Sequence, residues 1–134
     1  MLHPMSDDNA PGLRRVTALC DGLPEVEVTA AAQHTSFTVR GRRFAWHLVD
    51  HHGDGRVSVE CKAVPGVNRA MADADAERFY LPPYTARHGW VGVYLDVDRV
   101  DWDDVGDLVT EAYLLVAPAR LAARVDRLAD RRPR

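Results

Sequence analysis

Apolar residues recur at every second position through the middle of the chain and at helical spacing toward its ends. Val26 and Val28 alternate with charged and polar neighbours, which predicts a strand over 25–30. Phe37 and Val39 alternate on one arm of a hairpin. Phe44, Trp46 and Leu48 alternate on the other, which places Trp46 in the core. Gly41, between the arms, supplies the positive φ that a tight turn needs. The second arm ends in the polar turn Asp50-His51-His52-Gly53-Asp54-Gly55. A third arm follows, with Val57, Val59 and Cys61 facing in and Ser58, Glu60 and Lys62 facing out. The pattern is that of a three-stranded antiparallel meander with two protruding tips.

Helical spacing begins near Pro11, a favoured first-turn residue, with Leu13, Val16, Cys20 and Leu23 on one face. Residues 67–76 predict a short alanine-rich helix. Residues 101–116 predict a longer one, capped by Asp101 and buried along Val105, Leu108, Val109, Ala112, Leu115 and Val116. Pro118 restarts a final helix carrying Leu121, Val125 and Leu128 inward. Between these helices lies the stretch 77–96, around which the chain is organised. Pro82-Pro83 forbids a helix through it. After Gly89, residues Trp90, Gly92 and Tyr94 share one strand face and Val91, Val93 and Leu95 the other. That strand reads as covered on both sides, with Trp90 and Leu108 in one buried cluster. The order of elements predicts an α+β fold with helices packed on one face of an antiparallel sheet. Residues 1–10 carry no periodicity and read as a mobile leader; residues 11–134 form one domain.

Composition narrows the function classes. The 134 residues carry a formal charge of −3, which argues against a strongly basic nucleic-acid binder but not against a local basic face. Cys20 and Cys61 lack metal spacing and read as reduced, buried thiols, so the expected compartment is the cytoplasm. No apolar run is long enough for a membrane helix. No Gly-rich phosphate loop or nucleophile elbow is present, so the reading is non-catalytic, and no cofactor is implied. A monomer is expected rather than an obligate oligomer.

Several ordered motifs give the chain a resemblance. They are Leu23-Pro24-Glu25-Val26; the run from Phe37 through Arg40-Gly41-Arg42-Arg43 to Trp46; Gly89-Trp90-Val91-Gly92-Val93 followed by Leu95-Asp96; Asp101-Trp102; and Ala112-Tyr113 with Val116-Ala117-Pro118. Together they resemble the MmcQ/YjbR-like family of small bacterial proteins. The resemblance implies a CyaY-like α+β fold and DNA binding through a "double wing" of hairpins. The chain departs from the family pattern at Ala30-Ala31-Ala32, where a Trp-Gly pair is common. It departs again at Thr85-Ala86-Arg87-His88, where lysines are usual.

The DNA-binding candidates are Arg40, Arg42 and Arg43 on the first tip, free of acids from Ser36 to Ala45, with Arg56 at the base of the second. Such arginines can straddle phosphates, or simply keep a turn soluble and its edge protected. Arg120, Arg124, Arg127 and Arg131 form a stripe on the last helix that reads as a solvated face. Seven carboxylates between Asp96 and Glu111 face one basic residue, Arg99, so a polyanion should bind on the opposite side. The alternative is a protein- or small-ligand-binding module using the 82–90 loop, with Tyr84, Arg87, His88 and Trp90. An enzyme whose chemistry no motif reveals is the third reading. His47, His51 and His52, with Asp50 and Asp54, lack a third ligand at convincing spacing, so no metal site is assigned.

Overall fold

The computed structural model describes residues 11–130, with side chains described through Val125. The leader at 1–10 and Arg131 lie outside the described residues, as do the side chains of Arg127 and Leu128. The elements are α1 (Leu13–Asp21), β1 (Val26–Ala30), β2 (His34–Val39), β3 (Arg42–Val49), β4 (Val57–Cys61), α2 (Val67–Ala74), β5 (Phe79–Tyr80), a 3-10 turn (Ala86–His88), β6 (Val91–Tyr94), α3 (Trp102–Val116) and α4 (Ala119–Asp130). The strands make one antiparallel sheet in the order β1-β2-β3-β4-β6-β5. The α+β architecture, with helices against the sheet, is as the sequence predicts. The meander has four strands rather than three, because the first predicted strand pairs with β2.

One face of the sheet forms the core. Phe37, Val39, Phe44, Ala45, Val57, Val59, Cys61, Val91, Val93 and Leu95 pack there against Val16 and Cys20 of α1, Val105, Val109, Ala112, Tyr113 and Val116 of α3, and Leu121 and Val125 of α4. Asp101 caps α3, its Oδ1 accepting from the Asp104 N–H at 3.1 Å, with Asp103 and Asp104 in the first turn. Tyr113 donates its hydroxyl proton to the Pro24 carbonyl at 2.7 Å, tying α3 to the α1–β1 connection.

Three packing expectations are corrected. Tyr113 is fully buried where Leu115 was expected, and Leu115 is 42% exposed, so the buried stripe of α3 is rotated. Leu108 is half-buried against the core, but Trp90 is half-buried outside it, since it shares the strand face of Gly92 and Tyr94. Trp46 is not a core residue. The β2–β3 register shifts between Phe37 and Thr38: Thr38 pairs with Arg43 and Phe37 with Ala45. Phe44 is therefore the extra residue of a β-bulge. Phe44 and Ala45 both face the helices, and every later side chain of β3 changes side. His47 is directed to the core face, where its Nε2 lies 2.9 Å from the Pro11 carbonyl oxygen. Trp46 and Leu48 face away from the helices.

Candidate functional site on the open face of the sheet

The face opposite the helices carries Trp46 from β3, Ser58 and Glu60 from β4, Tyr80 from β5, and Gly92 and Tyr94 from β6. The alternation that puts Val57, Val59 and Cys61 in the core puts Ser58 and Glu60 here, as predicted. They are nevertheless buried, at 4% and 1% exposure. The cause is cross-strand cover. Tyr80 lies across Gly92, where even a methyl group would collide with its ring, and Trp46 sits directly opposite Glu60 in register.

A carboxylate removed from water must be met by donors. Glu60 Oε1 accepts from Trp46 Nε1 at 3.0 Å. Its Oε2 accepts from the Tyr80 hydroxyl at 2.6 Å and lies 2.9 Å from His52 Nε2. Because Tyr80 donates to Glu60, the Ser58 hydroxyl at 2.8 Å acts as donor to the Tyr80 oxygen. Burial, then the Glu60 charge and hydrogen bond, push the Tyr80 phenol above the usual tyrosine range, so it remains a donor.

The second tip does not protrude as predicted; it folds over this face. Asp50, at φ 50°, turns the chain, and its Oδ1 accepts from the Gly55 N–H at 2.6 Å. The turn lays His51 on Trp46, with ring centroids 4.8 Å apart, and sends His52 to Glu60. Edge-to-face contacts run on from His34 to Trp46 (5.3 Å), His51 to His52 (5.1 Å) and His52 to Tyr80 (6.1 Å), ending in a tilted Tyr80–Tyr94 pair (4.9 Å). Burial first, then the neighbouring His52, lower the pKa of His51 below the ordinary imidazole value.

An arginine stacks at each end of this aromatic band: Arg43 over Trp46 at 4.3 Å and Arg56 over Tyr94 at 3.7 Å. Arg56 also grips Asp96, with Nε–Oδ2 and Nη2–Oδ1 distances of 2.9 Å. Burial pushes the Asp96 carboxyl up. The hydrogen bond and charge of Arg56, with the Val57 N–H, outweigh it and hold the group below the usual range.

The four predicted arginines are thus not one footprint. Consecutive turns of a meander lie at opposite ends of its strands, so Arg40–Arg42 and Arg56 are separated by the length of β3. Arg40 and Gly41 both have positive φ, as a two-residue hairpin turn requires. Arg40 is paired with Glu25 at 2.8 Å. Arg42 points to the helix side, 3.5 Å from the Val116 carbonyl. Only Arg43 and Arg56 share the open face. Sequence reasoning missed Glu60, Trp46 and Tyr80 as a set, because their convergence depends on a bulge and on a two-residue strand.

The 82–90 loop is braced from below. Asn68, 3% exposed, donates to the Ala86 and Trp90 carbonyls at 2.8 and 2.9 Å. Gly89, at φ 96°, packs so closely on Ala63 that no side chain fits. Tyr84 stands 91% exposed at φ 70°, Arg87 and His88 are exposed, and Trp90 is half-buried. Cys20 and Cys61 are buried free thiols, each pushed up to about 12, chiefly by burial. Among the described residues no three His, Cys, Asp or Glu side chains converge as a metal-ligand set, and no helix is long and apolar enough to cross a membrane.

The YjbR family model matches residues 21–115, more than half of the chain. The chain belongs to the YjbR family. Its fold is similar to that in the crystal structure of the Deinococcus radiodurans protein DR2400, which carries the family-model domain DUF419. The likeness has a TM-score of 0.66 at 20% identity and covers 94% of this chain and 92% of that one. No curated protein matches it. In this YjbR-family chain the matched segment spans the whole sheet and nearly all of α3.

Proposed function

We propose that this YjbR-family chain is a non-catalytic DNA-binding protein, acting in the cytoplasm where Cys20 and Cys61 stay reduced. The observation that carries the reading is the open-face band, with Arg43 on Trp46 at one end and Arg56 on Tyr94 at the other. From strand spacing and rise, the two stacked pairs are about 12 Å apart, a span covered by a few phosphates of one strand. Arginine supplies the phosphate contact, and the ring beneath it fixes the guanidinium plane on which an unpaired base can stack. The acidic helix α3 packs on the opposite face, so its carboxylates point away from the bound polyanion. The non-catalytic part of the reading rests on the burial of Ser58, Cys20 and Cys61 and on the half-buried Tyr80 hydroxyl being held by Glu60 and Ser58.

Arg43 supplies the main phosphate contact. Arg56 and Arg40 contribute when a phosphate displaces Asp96 or Glu25, while Arg42 stays on the helix side. Binding is weak and tolerant of sequence, because no recognition helix reaches base edges. Fluorescence-anisotropy titrations with labelled duplex and labelled single strand, repeated across salt concentrations, test this. The log–log salt slope should lie at roughly −2 to −4, flattening by about two units in Arg43→Ala/Arg56→Ala. The absence of binding to either probe at low salt, or an unchanged slope in the double variant, would sink the proposal.

A second reading has its own observation. Tyr84 is held almost fully exposed in a left-handed conformation, beside Arg87 and His88, on a loop that Asn68 holds in place. Aromatic and arginine residues on a rigid tip are suited to anchor a protein partner or small ligand. If the open-face variants leave DNA binding unaffected, Tyr84→Ala and Arg87→Ala become the informative pair.

A further inference from the structure

Strand β1 is an edge of the sheet. Glu27, Val28, Thr29 and Ala30 are exposed, with Val28 at 41%. Edge strands are ordinarily guarded against pairing by lysine, proline or a bulge. The sequence Val26-Glu27-Val28-Thr29-Ala30 has none of these; its one charge is Glu27, on the open side, and its pairing with β2 is regular throughout.

The hydrogen-bond phase shows which main-chain groups face out. The Ala31 N–H donates to the His34 carbonyl at 2.8 Å, and the Val49 N–H to the Gln33 carbonyl at 2.9 Å. Alternation along β2 then directs the groups of Ser36 and Thr38 toward their β1 partners Thr29 and Glu27. The N–H and C=O groups of Val26, Val28 and Ala30 point away from the sheet.

We propose that this edge pairs with the same edge of a second copy of the chain, antiparallel and centred on Val28. With the two-fold axis at Val28, its N–H and C=O meet those of the partner's Val28, and Val26 meets the partner's Ala30. All the outward groups of the three residues are then satisfied, and the two sheets become continuous. On the helix side, Val28 packs against the partner's Val28, covering the exposed valine. On the open side, Glu27 lies opposite the partner's Thr29, so no like charges are directly paired. A register centred on Glu27 would place the two glutamates directly opposite and is disfavoured for that reason.

The contact area is a small fraction of the ~1,200–2,000 Å² that stable complexes bury, so the association is weak and concentration-dependent. The two Glu27 carboxylates lie diagonally, about 7–8 Å apart. Their repulsion is screened by salt, so self-association tightens as salt rises, whereas DNA binding weakens.

Sedimentation equilibrium of the full chain over a concentration series, with amide exchange by NMR, tests the proposal. The expected result is a mass rising from monomer toward dimer. The amides of Val26, Val28 and Ala30 should slow with concentration, while those of Glu27 and Thr29 are protected throughout. Val28→Pro removes an outward N–H without touching a β1–β2 bond, and Val28→Lys charges the edge while leaving the backbone intact. Both should abolish association, and Glu27→Gln should strengthen it. A monomer at every concentration, association that survives both Val28 variants, or alternate amides that do not respond would overturn the proposal.

Discussion

Glu60→Ala is the sharpest probe of the open face. The carboxylate is 1% exposed, so no water replaces what the truncation removes. Trp46 Nε1 loses its acceptor and is left unpaired beneath the His51 ring, at a cost of about 1–3 kcal/mol. Tyr80 retains Ser58 and His52 can turn to solvent, so these two lose less. The missing methylene adds about 1 kcal/mol. The sum, about 2–4 kcal/mol, overlaps the usual cost of breaking a buried ionic network by removing one partner. Glu60→Gln keeps the side-chain volume and an oxygen for Trp46. Its amide can donate to the Tyr80 oxygen once Tyr80 turns its own proton to Ser58, so the cost should be about 1–2 kcal/mol. With a urea m-value of ~1–3 kcal/mol/M, the alanine variant should lower the denaturation midpoint by about 1–3 M at unchanged m. Equal midpoints for the alanine and glutamine variants would refute the reasoning. So would a Glu60→Ala midpoint unmoved from that of the parent chain. Adding Trp46→Phe to Glu60→Ala should recover part of the loss, since the orphaned donor leaves with the indole.

The remaining expectations concern the same face. Gly92→Ala drives a methyl group into the Tyr80 ring and should cost about 1–3 kcal/mol, with Tyr80→Ala suppressing the clash in the double variant; additive losses in that cycle would show that Tyr80 does not cover Gly92. His51 has its folded-state pKa lowered by burial and by His52, below the ordinary 6.5. Between that lowered value and 6.5 the unfolded chain binds the extra proton, so this contribution is complete above pH 6.5 and is lost as pH falls through it. Urea midpoints measured from pH 7.5 to 5 should therefore fall, and His51→Gln should flatten the fall; identical profiles would contradict the packing of the His51 ring on Trp46 and His52.

Much of the architecture was legible because apolar periodicity reports burial on the large, helix-covered face. The Val57-Val59-Cys61 and Val91-Val93-Leu95 sets, the Arg40-Gly41 turn and the Asp101 cap all depend on contacts within a few residues or on one unambiguous face. Tyr113 was missed because its hydroxyl finds the Pro24 carbonyl, a partner 89 positions away, and so its phenol can be buried in place of Leu115. Alternation predicts that Ser58 and Glu60 face outward, and they do. It does not predict their burial, because the cover comes from Tyr80, on a strand of two residues, and from a turn that folds back. Neither produces a periodic signal.

The bulge at Phe44 is the step that alternation could not supply, and the open face depends on it. Without the extra residue, strict alternation from Phe44 would carry Trp46 and Leu48 to the core and place Ala45 and His47 outside. Glu60 would then face an outward strand position offering no indole N–H. Its Oε1 would lose both the indole that covers it and the donor that satisfies it. The register shift and the buried acid are therefore one device. Phe44 and Ala45 together fill the space beneath α3, where the Phe44 ring meets Tyr113 edge-on with centroids 5.5 Å apart. In doing so they turn Trp46 over to donate to Glu60 and to support Arg43. The apolar packing that anchors α3 on one side of the sheet thus fixes the position of the cation on the other.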